Sequence, residues 1–210
     1  AALHEGVSLL REEVLGPLNA EQREVTGILA HNADILQRQI EELLNYHATV
    51  LDAVSVRRRP VDLRELLEGV VAAHRLQLQG QRLQVTIACR NREACLDPDK
   101  MRVALSNLLS NAIVYSPSGS EIRFVVGRTG PGDGLLFIDC IDQGPGVAPA
   151  DVVRIFDPFV QGGRRPADGQ HGSGVGLSIV REVAHAQGGR VYLLPTAGGA
   201  HFRMELPYEA

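Results

Sequence analysis

Residues 106–115 read Ser106-Asn107-Leu108-Leu109-Ser110-Asn111-Ala112-Ile113-Val114-Tyr115, and their spacing decides what the surrounding chain must build. Met101, Leu105, Leu108 and Ala112 recur at 4-3-4 intervals, the pattern of a helix with one core-facing stripe, while Asn107, Asn111 and Tyr115 fall together on another face. Asparagine is a mediocre helix former, so two of them one turn apart need a reason. A carboxamide oxygen is a neutral, hard ligand of the kind magnesium accepts when phosphates supply most of the charge, and two such groups one turn apart can address one ion. A solvated polar stripe on an amphipathic helix accounts for this stretch equally well on its own.

Composition narrows the surrounding possibilities. A net charge of −4 and a pI near 6.0 do not suit a protein that binds nucleic acid through phosphate contacts. Cys89, Cys95 and Cys140 are odd in number and lack CxxC spacing, so neither a disulfide framework nor a zinc site is expected, and a reducing cytosol is the expected setting. No apolar run approaches the length of a bilayer span and no signal peptide opens the chain. Lys100 is the single lysine, and no Gly-Lys-Ser/Thr occurs. A P-loop is therefore excluded, and arginine or metal must supply any cation held against a phosphate.

Residues 1–56 read as two helices. Leu3, Val7, Leu10 and Val14 keep a 4-3-4 rhythm that stops at Gly16-Pro17, and a second helix starts near Ala20. From Leu29, the positions Ala33, Leu36, Ile40, Leu43, His47, Val50 and Val54 alternate 4-3, the heptad of a left-handed coiled coil. Two such helices expose more apolar edge than they cover, which predicts a homodimeric four-helix bundle; an accessory hairpin packed within one chain is the other reading. Arg57-Arg58-Arg59-Pro60 breaks the pattern, so residues 57–61 read as a linker and 62–210 as a second domain.

In that domain Asp62 and Glu65 form a capping-box-like start for a helix running to about Gly80. Leu83, Val85, Ile87 and Cys89 alternate as a half-buried strand, and Asp97-Pro98 opens the asparagine helix. Ile122, Phe124 and Val126, then Leu136, Ile138 and Cys140, form two strands around the turn at 130–134. The second ends on Asp142-Gln143-Gly144-Pro145-Gly146. A carboxylate at a strand end, followed by glycines that admit a flat ligand, suits a purine amino group, although Asp-x-Gly-x-Gly alone also fits an ordinary turn. Phe156-Asp157-Pro158-Phe159 precedes an aperiodic stretch from Gly162 to His171 that reads as a mobile lid. Gly172-Ser173-Gly174-Val175-Gly176-Leu177 then opens a helix whose free N–H groups can face phosphate oxygens. Val191 and Leu193, then Phe202, Met204 and Leu206, finish the chain as an antiparallel pair.

In this order the four stretches resemble the N, G1, F and G2 boxes of the ATP-binding domain of sensor histidine kinases, and residues 1–56 resemble their dimerisation and phosphotransfer hairpin. The resemblance spans the chain. It implies an α+β fold, a helical hairpin followed by an ATP-binding sandwich whose mixed sheet is covered by helices on one face. It also implies ATP and Mg2+ as ligands, with Asn107 and Asn111 as the catalytic pair holding magnesium, Asp142 on the adenine amino group and Tyr115 packed on the adenine. Gly144, Gly146, Gly172, Ser173, Gly174, Val175, Gly176 and Leu177 would complete the nucleotide site. The implied partners are a second copy, through residues 1–56, and a response-regulator receiver domain. The implied parent is anchored in the bacterial inner membrane, with this part cytoplasmic.

The sequence departs from the family twice. Val114 stands where a lysine or arginine commonly follows the second asparagine, and Arg164 or Arg165 in the lid would have to replace that phosphate contact. The acceptor stretch His-Glu-x-x-x-Pro is absent; its distance from the inter-helix turn would put it just before Ala1, so the expectation is a kinase core unable to phosphorylate itself. His4-Glu5 repeats the first two letters, but Leu9 stands at the proline position, and His4 is not expected to be the acceptor. Two other readings stay open: an Hsp90-like or gyrase-like ATPase, which would want a glutamate base where Asn107 stands, and a degenerate kinase that binds a partner through the hairpin.

Overall fold

The computed structural model describes residues 2–14, 16–52, 55–130, 134–163 and 174–208. They form two compact units, residues 1–45 and 46–210. The first holds α1 (Ala2–Arg11) and most of α2 (Ala20–Asp52). Asn19 sets the start of α2: its Oδ1 accepts from Gln22 N–H at 2.8 Å while Gln22 Oε1 accepts from Asn19 N–H at 2.9 Å, a reciprocal cap that satisfies two orphan donors. Val7 and Ala33 are buried, whereas Leu10, Val14, Leu29, Leu36 and Ile40 of the same heptad stripes are exposed.

The second unit is a layered α+β domain. Its five-stranded sheet has the order β2 (Gln84–Cys89), β4 (Glu121–Arg128), β5 (Leu136–Ile141), β7 (His201–Leu206), β6 (Arg190–Leu193). The β2–β4 pair is parallel and the others are antiparallel, so the sheet is mixed. Three helices, α3 (Leu63–Ala73), α5 (Pro98–Tyr115) and α6 (Gly176–Ala186), bury their apolar faces in one core with Ile122, Phe124, Ile138, Met204 and their neighbours. The opposite face of the sheet carries polar ladders instead. Arg203 pairs in two-pronged fashion with Asp139 at 2.7 and 2.8 Å, and Glu205 accepts from Arg190 at 2.7 Å and Tyr192 at 2.6 Å.

The asparagine helix forms as its sequence dictates. Asp97 caps it by accepting from Asp99 and Lys100 N–H, Pro98 opens it, and Met101, Leu105, Leu108 and Ala112 are all buried. Asp62 caps α3 in the same way. Two features differ from the sequence expectation. The helix read to about Gly80 is divided at His74 (φ −99, ψ 11) into α3 and a short α4 (Arg75–Gly80). The last part of the stretch read as a linker, residues 59–61, forms with Asp62 a strand, β1 (Arg59–Asp62), paired antiparallel with β3 (Glu93–Leu96).

Candidate functional site

Asn107 and Asn111 are half-buried on α5. Asn107 Nδ2 donates to Val103 O at 2.9 Å, so the amide nitrogen is used within the helix and its oxygen is left for another partner. That oxygen faces the first residue of α6: a methyl group added at Gly176 would lie 2.9 Å from Asn107 Oδ1 and 3.8 Å from Asn111 Nδ2. Glycine leaves this approach open, whereas a larger residue would press on the end of the Asn107 side chain and make it shift. Val175 occupies the N-cap of α6, and among the described residues no side chain caps that helix start; the positive end of the helix dipole lies beside the two amides, where it favours an anion. Gly174, with φ +77, is pressed against Val160 and Phe159, whose N–H donates to Gly174 O at 3.0 Å. Phe159 itself has φ +66, an uncommon conformation for an aromatic residue.

A second corner forms where β5 ends. Asp142 is 5% exposed. Its Oδ1 accepts from Gly144 N–H at 2.8 Å and from Ala200 N–H at 2.9 Å, and its own N–H donates to Ala200 O at 3.0 Å. Among the described residues Oδ2 accepts no hydrogen bond, which leaves it for a ligand donor. Burial pushes the Asp142 carboxyl above the ordinary carboxylate range, against the pull of the two N–H donors. Glycines crowd this corner because side chains cannot fit. A methyl at Gly144 would lie 2.7 Å from Tyr115 O, one at Gly146 (φ +71) would meet Gly199 O, and one at Gly199 would collide with the Asp142 carbonyl. Tyr115, the last residue of α5, is half-buried, and burial raises its phenol pKa.

The end of α5 thus touches the Asp142 corner through Tyr115 and Gly144, and its middle touches the start of α6 through Asn107 and Gly176. Leu177 packs against the core behind that start. Arg164, Arg165, Gly172, Ser173 and most of the expected lid lie outside the described residues. Val114 is half-buried and brings no charge. Among the described residues no three His, Cys, Asp or Glu side chains cluster in a way that could hold a metal ion. A divalent cation here would depend on neutral amide oxygens and on the ligand's own phosphates, which fits the Asn107 and Asn111 donor set. Sequence reasoning missed Ala200, which holds Asp142 through its backbone, and Gly199, whose bare backbone passes close to the Asp142 carbonyl; the Gly198-Gly199 pair before β7 was the available signal. It also missed the Arg181–Asp157 ion pair at 3.0 Å, which ties α6 to the segment before the lid.

Residues 96–210, more than half of the chain, match the family described as histidine kinase-, DNA gyrase B- and HSP90-like ATPases. The chain belongs to this family. Within it the likeness is to sensor histidine kinases. The chain is 34% identical over 208 residues to the sensor histidine kinase GlrK of Escherichia coli K12, covering 99% of this chain and 43% of that protein. It is 29% identical over 189 residues to the sensor protein SrrB of Staphylococcus aureus, covering 89% of this chain and 32% of that protein. The crystal structure of full-length ShkA in complex with AMPPNP superposes with a TM-score of 0.72 at 27% identity, over 99% of this chain and 42% of that one. The second unit is therefore an ATP-binding α+β domain of the sensor histidine kinase type, and the chain spans less than half the length of the curated relatives it matches. Among the described residues no helix is long and apolar enough to cross a membrane.

Proposed function

We propose that the catalytic unit binds Mg-ATP and transfers its γ-phosphoryl group to a histidine of the parent protein outside this chain, from which it passes to an aspartate of a response-regulator receiver domain. The observation that carries this reading is the approach of Gly176 to Asn107 and Asn111, beside a buried Asp142 with one carboxylate oxygen uncommitted. Asp142 Oδ2 accepts from the adenine amino group, and Tyr115 packs on the base. Gly144 and Gly146 let the base approach the backbone. The N–H groups of the stretch 172–177 hold the phosphates, with Arg164 or Arg165 supplying the charge that Val114 lacks. Asn107 and Asn111 hold magnesium, which when bound neutralises the phosphate oxygens. Phosphoryl transfer asks for positioning and charge neutralisation more than for covalent chemistry, and a site of amides, glycines and one carboxylate offers that.

Residues 1–56 act as the dimerisation and phosphotransfer hairpin. The exposed heptad positions Leu29, Leu36 and Ile40 support pairing with a second copy. The parent is anchored in the bacterial inner membrane. An ATPase reading has less support because Asn107, an amide, cannot take a proton from water at neutral pH. The deciding measurement uses a longer chain that includes the segment preceding Ala1: incubation with γ-labelled ATP and magnesium gives acid-labile label, which then moves to a receiver domain. Release of inorganic phosphate with no labelled protein would overturn the reading in favour of a hydrolase.

A further inference from the structure

The arginine run at 57–59 is bonded to both helices that carry the candidate site. Arg57 N–H donates to Asp97 Oδ2 at 2.9 Å, while Oδ1 of the same carboxylate accepts from Asp99 and Lys100 N–H and so caps α5. Arg58 Nη2 donates to Gln187 O at 2.8 Å, at the C-cap of α6. Gln187, only 1% exposed, closes the cluster by donating from Nε2 to Asp97 O at 3.4 Å. Arg59 then pairs in register with Leu96, the residue before Asp97. The charges suit the helix ends they meet: a carboxylate at the positive end of α5 and a guanidinium at the negative end of α6.

These contacts fix the direction of the helix pair. Asp97 lies beside Gln187, and Asn107 and Asn111 lie beside Gly176, so α5 and α6 run antiparallel with the arginine cluster at one end and the candidate site at the other. About ten residues, or about 15 Å at 1.5 Å per residue, separate the two ends on each helix. A packed helix pair has little freedom to bend, so its spacing at one end constrains its spacing at the other. At the site that spacing is tight enough that a methyl at Gly176 would lie 2.9 Å from Asn107 Oδ1.

We infer that Arg58 is a positioning residue: with the backbone N–H of Arg57 it clamps the α5–α6 pair at its far end and thereby sets the gap between Asn107 and the start of α6. The segment lies a few residues beyond α2, which ends at Asp52. The clamp is a property of the fold; its effect on nucleotide rests on the reading given under Proposed function. The full chain is compared with its Arg58→Ala and Arg58→Lys variants by amide hydrogen exchange and by titration with a fluorescent ATP analogue in magnesium. Arg58→Ala should speed exchange several-fold at Met101 and at Gln187 to Gly189, the first-turn and C-cap amides of the two helices. It should also weaken analogue binding roughly threefold to tenfold. Lysine, which keeps one donor and the charge, should restore both to within about twofold. Unchanged exchange in Arg58→Ala overturns the clamp whether or not nucleotide binds. Faster exchange with unchanged affinity overturns its action on the site. Failure of the unmodified chain to bind the analogue overturns the nucleotide reading, and the action on that site falls with it.

Discussion

At the scale of single residues, Asp142 and Asn111 should fail in different ways. Removing the carboxylate in Asp142→Ala should weaken ATP and ADP alike, because the base is common to both. Asn111→Ala should weaken only magnesium-dependent binding of the triphosphate. Loss of one charge-assisted hydrogen bond in a desolvated site is worth about 1.5–3 kcal/mol, or roughly tenfold to a hundredfold in affinity. Calorimetric titration with both nucleotides, with and without magnesium, separates the cases; equal affinities for the unmodified chain and Asp142→Ala would remove Asp142 from the site. Burial raises the Asp142 pKa, so its protonated form is favoured in the fold, and the cost of ionising it appears as pH rises from the ordinary carboxylate value through the raised one. Nucleotide affinity should accordingly fall on acidification at a pH above that of an ordinary carboxylate, a loss that Asp142→Asn, weak at every pH, should not show. Asp142 was legible as a candidate, a carboxylate at a strand end before two glycines, although an ordinary turn shows the same pattern. Ala200 was not, because a residue acting through its backbone N–H leaves no side-chain signal.

At the scale of elements, the helix and strand periods were legible wherever one face meets the core, as in α5 and β4. The short β1–β3 ladder was not. Arg59-Pro60-Val61-Asp62 has an arginine and a proline where a strand would show alternation, and its pairing with Glu93–Leu96 comes from tertiary context, which overrides local propensity. The α3–α4 break at His74 was hidden for a similar reason, since apolar residues continue at helical spacing across it. Two predictions belong here. Gly176→Ala places a methyl 2.9 Å from Asn107 Oδ1, so the Asn107 amide must turn aside from the start of α6. It should weaken nucleotide binding at least severalfold while leaving the urea midpoint little changed, since alanine is otherwise the better helix residue; unchanged affinity would mean that the amide need not face that helix start. Asp97→Ala removes a cap and should destabilise the catalytic unit by about 1–2 kcal/mol in urea unfolding. Burial opposes the Asp97 charge, but the Arg57, Lys100 and Asp99 N–H groups and the Lys100 charge hold its pKa below the ordinary value. Its stabilisation is therefore present above the ordinary carboxylate pKa and lost as pH falls through the depressed one, and an Asp97→Asn variant should lack that part of the acid limb.

At the scale of the whole molecule, the exposed stripe and the missing acceptor make two claims that can be tested separately. Leu29, Leu36 and Ile40 are exposed at 44%, 52% and 55%, and their spacing along α2 puts them in one stripe that a second copy would cover. Leu36→Glu should therefore shift sedimentation from dimer to monomer at micromolar concentration without changing ATP affinity, because the stripe and the nucleotide site lie in different units; a chain that sediments as a monomer before mutation would remove the bundle. The second claim concerns self-labelling. His4 lies in α1 and is followed by Glu5, yet Leu9 and not proline stands five positions on. Proline would interrupt the helix hydrogen bonds and open the backbone around an acceptor, whereas Ala2–Arg11 runs as a continuous helix. The α1 helix ends within seven residues of His4, at Arg11, so no long helical arm separates His4 from the turn at Gly16-Pro17. The chain should thus bind ATP and yet take no label. Incubation with γ-labelled ATP and magnesium, followed by an acid-lability test for phosphohistidine, checks this: label present in the unmodified chain and lost in His4→Gln would make His4 the acceptor, and label lost only in a variant of another histidine would place it there instead.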